Sequence, residues 1–316
     1  MLIEFSVENY RSFRDRQTLS LVASNRDKEH PENLIDPEVP GLKNTQLVKS
    51  AAIYGANASG KTNLYAAAEF MRDFVVDSAT KLKPGEGIDV APFQLDPAKI
   101  SSPTEFEALF VYQGIRYQYG FVLDNRLVHE EWLTAYPEGR PQRWFHREFD
   151  PDGSIYKWKF SDKHFRVDKD SLKQKTRSNN LFLSVGAQFN NEQLTLVYEW
   201  FRSQFRFVDP SLPLWMPDIT ASMMMDDKEI QDRIPILLQQ ADLGITDVHV
   251  RIIKPDELKL PNDLTDGEKK IIMDRARNGS LETYSFRHYS QTNPEGVPLS
   301  DDDESAGTLK FFSMLG

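Results

Sequence analysis

Cysteine is absent from the 316 residues, which excludes a disulfide framework, thiolate-ligated zinc, an iron–sulfur cluster and a thiol nucleophile, and suits a reducing cytosol. No stretch of about 18 apolar residues occurs, and acids interrupt the opening Met1-Leu2-Ile3-Glu4-Phe5-Ser6-Val7-Glu8. Neither a secretion signal nor a membrane span is predicted, and a cytoplasmic location is expected. Positive charge is scarce: 38 Lys and Arg stand against 48 Asp and Glu, a net charge of −10, which disfavours general polyanion binding. The six histidines, at 30, 129, 146, 164, 249 and 288, include no pair at metal-ligand spacing. An Asn-Lys-x-Asp guanine reader, sequence repeats and a sustained heptad pattern are lacking as well.

What is present, 40% apolar residues over this length, builds a substantial core and predicts one α/β body with inserted material. Leu2 to Val7 alternates as a strand, breaks at Asn9-Tyr10-Arg11-Ser12, and resumes as a second strand over Gln17 to Val22. Residues 24 to 47 read as a loop. Ser50-Ala51-Ala52-Ile53-Tyr54 reads as a short apolar strand, and the run from Lys61 to about Ser78 has helical spacing and no proline. Phe106 to Leu133 reads as a β meander turning at Gln113-Gly114 and Asp124-Asn125, with a further turn at Asp150-Pro151-Asp152-Gly153. Helical stretches follow over Asn191 to Phe205 and Asp227 to Ala241. The expected organisation is a core lobe over 1–80, meander and lateral subdomain over 81–245, and a return to the core over 246–316.

Gly55-Ala56-Asn57-Ala58-Ser59-Gly60-Lys61-Thr62 fits the phosphate-binding loop pattern, glycine, four residues, then Gly-Lys-Thr. Between a predicted strand and a predicted helix, successive backbone N–H groups wrap phosphates at the positive end of the helix dipole. Lys61 is placed to neutralise β and γ oxygens and the Thr62 hydroxyl to ligate Mg²⁺. A phosphate-binding loop alone does not choose between kinase, GTPase and motor-like ATPase; ATP with Mg²⁺ is the cofactor expected once the second motif below is added. Near the other end, Glu304-Ser305-Ala306-Gly307-Thr308 opens an apolar-spaced helix. A Ser-x-Gly there offers a hydroxyl and N–H groups to phosphate, although serine in that position also serves as an ordinary N-cap.

Together with the opening Glu8-Asn9-Tyr10-Arg11-Ser12-Phe13 and Asn63 after the loop, these motifs resemble the ABC-type ATPases related to Rad50, SMC, RecF and OLD proteins, in particular the bacterial AAA15 family of ATP-binding proteins. The resemblance implies an α/β P-loop NTPase of ABC-ATPase type, with a mixed sheet, an antiparallel β meander and an inserted helical/β subdomain. It also implies a homodimer whose heads sandwich ATP, an effector nuclease or toxin, and a role in anti-phage defence. Lys61 and Thr62 would act in cis, Ser305 and Gly307 in trans. Arg11, Ser12 and Asn57 would be secondary contacts, and Gln94 would be a metal-binding Q-loop residue.

Departures from that pattern set further expectations. A Walker B strand, apolar and ending in Asp-Glu, follows the signature helix in such ATPases, whereas this sequence reaches Gly316 before one, so a truncated chain that binds ATP better than it hydrolyses it is expected and its catalytic acids are unassigned. Phe121-Val122-Leu123-Asp124, Phe205-Arg206-Phe207-Val208-Asp209 and Ile252-Ile253-Lys254-Pro255-Asp256-Glu257 precede the signature and read as strand ends or turns. Four consecutive acids at 301 to 304 would repel phosphate unless turned aside. A non-catalytic ATP-binding scaffold is the alternative. DNA or RNA is a further candidate partner, because residues 140 to 177 hold 11 Lys or Arg against 6 Asp or Glu, interleaved with aromatics. Within that stretch Tyr156-Lys157-Trp158-Lys159-Phe160 reads more simply as a half-buried strand with its lysines in water.

Overall fold

The computed structural model describes residues 1–24, 30–207, 216–241, 243–258, 266–278, 282–293 and 295–315. They form two compact units, 1–207 and 208–316. In the first, β1 (Leu2–Glu8) pairs antiparallel with β2 (Gln17–Ser20) around the turn at 9–16. The second strand is shorter than expected, with Val22 making only an isolated bridge to Leu47. A small ladder joins β3 (Leu34–Ile35) to β4 (Leu47–Val48) inside the predicted loop. Helix α1 (Lys61–Asp77) and the short α2 (Pro97–Ile100) precede five meander strands: β5 (Thr104–Tyr112), β6 (Ile115–Leu123), β7 (Val128–Tyr136), β8 (Gln142–Asp150) and β9 (Ile155–Phe160). Helices α3 (Lys169–Lys175), α4 (Phe182–Gln188) and α5 (Glu192–Glu199) follow, the last running into a π-helical turn at Trp200–Gln204.

The sheet runs β2-β1-β5-β6-β7-β8-β9, with antiparallel pairing throughout. This corrects one expectation. No parallel pair occurs among the described residues, so the sheet is antiparallel rather than mixed. The meander is also continuous with the N-terminal strand, because Phe5 pairs with Ala108 across β1 and β5. The two compact units meet in sequence at 207/208.

Period-two burial explains the packing. Phe106, Ala108, Phe110, Tyr117, Tyr119 and Phe121 point from β5 and β6 into the core, and α1 adds Ala67, Met71, Phe74 and Val75 at helical spacing. Each fully buried large side chain contributes about 1.5–3 kcal/mol relative to exposure. On the opposite face, Glu107 receives hydrogen bonds from Gln118 Nε2 at 2.9 Å and Trp132 Nε1 at 3.1 Å, and an ion pair from Arg16 at 2.6 Å. Glycine at 120 lets the Trp132 ring cross β6, since a Cβ there would lie 2.3 Å from the ring. Strand β9 alternates as expected, with Tyr156, Trp158 and Phe160 half-buried and Lys157 and Lys159 exposed.

One buried ion pair ties the sheet to its helices. Glu131 on β7 and Arg147 on β8 have no exposed side-chain surface and stand 2.8 Å apart. Glu131 also accepts hydrogen bonds from Tyr119 Oη at 3.0 Å and from the Phe182 and Leu183 N–H groups at 2.8 and 3.0 Å. It therefore caps the otherwise uncapped N-terminus of α4. Arg147 reaches the carbonyl of Asn180.

The second unit contains α6 (Met216–Asp226), α7 (Lys228–Gln240), β10 (Ile245–Ile252), α8 (Asp266–Arg277), β11 (Glu282–His288), β12 (Val297–Ser300) and α9 (Ala306–Ser313). Its antiparallel sheet, β10-β11-β12, packs Val248, Tyr284 and Phe286 with Met224, Leu238, Leu309 and Phe312. Met224 is thus core filling, whereas Met225 is exposed.

The Glu131–Arg147 pair yields a comparative prediction. Glu131→Ala leaves a buried guanidinium and two helix N–H groups unpaired, and should lower unfolding free energy by about 3–5 kcal/mol. Lys157→Ala removes an exposed partner of Asp150 and should leave the urea midpoint essentially unchanged. Urea denaturation of both variants followed by circular dichroism checks the contrast, and equal midpoints would refute it.

Candidate functional site

The loop at 55–62 begins differently from expectation. Residues 51–54 form no strand, and Ile53 and Tyr54 are 48% and 91% exposed. A strand exists through its ladder partners, and no strand lies alongside this segment among the described residues. The loop itself does form. Ser59 N–H donates to Ala56 O at 3.2 Å, closing a turn in which Ala58 takes φ of 63°. Gly60 then enters α1 at φ of 94°, a left-handed conformation that glycine adopts without penalty.

Lys61 folds over this turn. Its ammonium donates to Gly55 O at 2.7 Å and Ala56 O at 2.8 Å, which holds a positive charge at the loop mouth. No side chain caps the start of α1 and no acid occupies its first turn, so the helix dipole and the ammonium add at one place. Thr62 is exposed beside them. A cation, an exposed threonine and a left-handed glycine are thus gathered at the start of one helix, a set of groups chemically compatible with a phosphate and its magnesium ion.

The N-terminal turn packs against the loop. Asn63 Nδ2 donates to Ser12 Oγ at 2.8 Å, and a Cβ at Gly60 would lie 3.1 Å from that same oxygen. Arg11, at φ of 47°, donates its N–H to Ala91 O at 2.8 Å and sets its guanidinium 5.4 Å from the Tyr10 ring centre. Burial raises the Tyr10 phenol above its ordinary pKa, against the opposing pull of Arg11. Ser12, Gly60 and Asn63 thus meet at the start of α1, while Arg11 is turned to Ala91 and the Tyr10 ring.

Asn9 organises this turn, a role its sequence context did not assign. It is fully buried at φ of 54°. Its Nδ2 reaches Lys99 O and Ser102 O, each at 2.8 Å, while its Oδ1 accepts from Phe93 N–H at 3.1 Å and its carbonyl from Thr104 Oγ1 at 2.8 Å. The available signal was asparagine's tolerance of left-handed backbone at a strand-ending turn. Gln94 lies in the segment that Asn9 ties down, exposed, with its Nε2 donating to Pro92 O at 3.0 Å.

In the second unit Ser305 is the N-cap of α9. Its Oγ accepts from Thr308 N–H at 3.0 Å and pairs with Thr308 Oγ1 at 2.9 Å. Gly307 is exposed, with Ser305 Oγ 3.6 Å from where a Cβ would sit. Two of the four acids before it are occupied: Asp303 accepts from Ser300 Oγ at 2.8 Å, and Glu304 turns inward to meet His288 Nε2.

The remaining candidates take structural positions. Asp124 ends β6 in a turn, accepting from the N–H groups of Arg126 and Leu127 at 2.7 and 2.9 Å. Asp256 and Glu257 lie in a turn after β10, and Glu257 pairs with Arg251. Asp209 lies outside the described residues. In the basic stretch, Trp144, Phe145 and Phe165 are buried in the core and Arg147 is bound to Glu131, so these four present no stacking or phosphate-binding surface.

Residues 50–316 match a protein-family model described as "AAA domain, putative AbiEii toxin, Type IV TA system". No curated protein matches the chain. The match covers the loop and the Ser305 helix but not the Asn9 turn. Asn9→Ala strands buried groups of two segments and should cost about 1–3 kcal/mol per group left unpaired. Amide hydrogen exchange should quicken over 9–13 and 91–104 and stay unchanged in β7 to β9; uniform protection would contradict the hub.

Proposed function

The chain belongs to this AAA-domain family, and from that membership and the loop geometry we propose that residues 55–63 bind ATP with Mg²⁺ and that the bound state controls association of two copies. The single observation that carries the reading is the Lys61 ammonium, held across the loop carbonyls at the uncapped start of a 17-residue helix. Lys61 would move from Gly55 O and Ala56 O to β and γ oxygens, exchanging neutral acceptors for charged ones. Gly60, Thr62 and Asn63 would present backbone N–H groups, and the Thr62 hydroxyl would face the metal, with Gln94 as a second candidate ligand. Bound Mg²⁺ would bridge and neutralise phosphate oxygens. Arg11, Ser12 and Asn57 would frame the phosphates from the N-terminal turn and the loop tip.

The finer reading is an ABC-type head of the AAA15 kind. Ser305 and Gly307 of one copy would meet the γ-phosphate held by the loop of a second. Two features support this. Thr308 Oγ1 can donate to Ser305 Oγ, which leaves the serine proton for a phosphate, and Glu304 is turned towards His288. The family description, with its toxin–antitoxin wording, is compatible with the expected effector and anti-phage defence role. No helix among the described residues is long and apolar enough to cross a membrane.

The proposal concerns binding rather than hydrolysis. Asp124 is committed to a turn, and Asp256 and Glu257 follow a strand whose last residues are exposed. Neither supplies an acid pair at the end of a buried apolar strand. An ATP-responsive scaffold is therefore the second reading.

Two measurements test these steps separately. Lys61→Ala should weaken Mg²⁺-ATP binding roughly ten- to a hundredfold by isothermal calorimetry, the loss of one charge-assisted contact of about 1.5–3 kcal/mol. Unchanged affinity would overturn the loop assignment. In sedimentation velocity, Mg²⁺-ATP should double the mass of the parent chain and not that of Ser305→Ala; a monomer that binds ATP without association would retain the loop and reject the sandwich.

A further inference from the structure

A second concave site lies on the flank of α1 within the first unit. One stripe of that helix, Ala66, Glu69, Phe70, Asp73, Phe74 and Asp77, faces the Tyr10-Arg11 turn and the segment from Lys81 to Asp89 across a cleft of about 360 Å³. That size falls within the roughly 300–1,000 Å³ range of small-molecule sites. Phe70, partly exposed, is its main aromatic surface, beside the nearly buried Tyr10, Phe74 and Ile88; Tyr10 and Phe70 have ring centres 5.8 Å apart, and Phe70 and Phe74 stack at 5.8 Å.

The charges around the cleft are unbalanced. Four carboxylates line it, from Glu69, Asp73, Asp77 and Asp89, against the two cations of Arg11 and Lys81. Lys81 is taken by Asp77 at 2.8 Å, and Asp73 draws Arg72 to 2.6 Å. Glu69 and Asp89 form no ion pair among the described residues, and Arg11 is the one lining cation not already paired there. That cation lies against the Tyr10 ring, 5.4 Å from its centre, so the wall already accommodates a planar cation on an aromatic face. The acid excess disfavours phosphate, which separates this cleft from the loop at the end of the same helix.

We propose that this cleft binds a small organic cation with a flat apolar body, the ring lying against Tyr10, Phe70 and Phe74 and the protonated amine or amidine directed to Glu69 and Asp89. Apolar burial supplies the attraction and the two carboxylates select the sign of charge. The inference needs no residue of the loop at 55–63; Arg11, which lines the cleft, is the one residue it shares with the proposed phosphate contacts.

Three probes with one indole body and different charge test it on the full chain: tryptamine, indole-3-ethanol and indole-3-propionate, followed by saturation-transfer NMR and calorimetry. Tryptamine should bind at least tenfold more tightly than the alcohol, the propionate should not bind, and tryptamine affinity should fall as salt rises. Glu69→Gln with Asp89→Asn should reduce tryptamine binding about tenfold and leave the alcohol unchanged. Ala66→Leu, which fills the cleft from α1, should weaken both, with folding checked by circular dichroism. Equal binding of all three probes, or tryptamine binding that survives both the charge-neutral and the filled variants, would overturn the site.

Discussion

A single buried carboxylate holds the first unit in register. Glu131 cannot remain ionised among Tyr119, Phe182 and the sheet without partners, and its partners come from three places at once: Arg147 on the next strand, Tyr119 on the preceding one, and the first N–H groups of α4. Helix α4 is thereby fixed against the sheet. It in turn fixes α1, because Ser184 Oγ donates to Val75 O at 2.5 Å and meets Ser78 Oγ at 3.1 Å. The helix that carries the loop is therefore located at its far end by a charge on β7. Its near end is located by Asn9.

The two ends of α1 divide the labour. At its start the backbone is polar, uncapped and cationic, suited to phosphate. Along its flank the stripe from Ala66 to Asp77 is apolar with acids between, suited to the opposite charge. A 17-residue helix spans roughly 25 Å at 1.5 Å per residue, far enough for such unlike electrostatic environments to coexist when salt screens exposed charges over about 8 Å.

Much of this was legible in the sequence, where local pattern and tertiary outcome agree. The 3.6-residue spacing of α1, the alternation of β5 to β9 and the Gly-Lys-Thr loop all describe groups whose behaviour is set by near neighbours. The segment at 51–54 misled because its apolar composition matches a buried strand, while strand formation depends on a partner that composition does not name. Glu131 and Asn9 were invisible for a related reason. A glutamate on an alternating strand reads as solvent-facing, and only the arrival of Arg147 and α4 makes the inward position tenable. The basic, aromatic stretch at 140–177 divides the same way: pattern predicted the face of β9, but not that Arg147 would be withdrawn from solvent.

The register of β1 has a consequence for how the chain is made. Phe5 pairs with Ala108, and Asn9 closes on groups between Phe93 and Thr104, so the first strand has no ladder partner on its β5 side until about a hundred further residues have left the ribosome. Helix α1 can form from local bonds as soon as it emerges, whereas the turn against which its loop packs must wait for a long-range closure. Until that closure the β5 edge of a strand carrying Ile3, Phe5 and Val7 has no partner. The start of α1 and the turn packed against it are thus built from segments far apart in the chain, and the turn closes through long-range contacts while the helix forms through local ones.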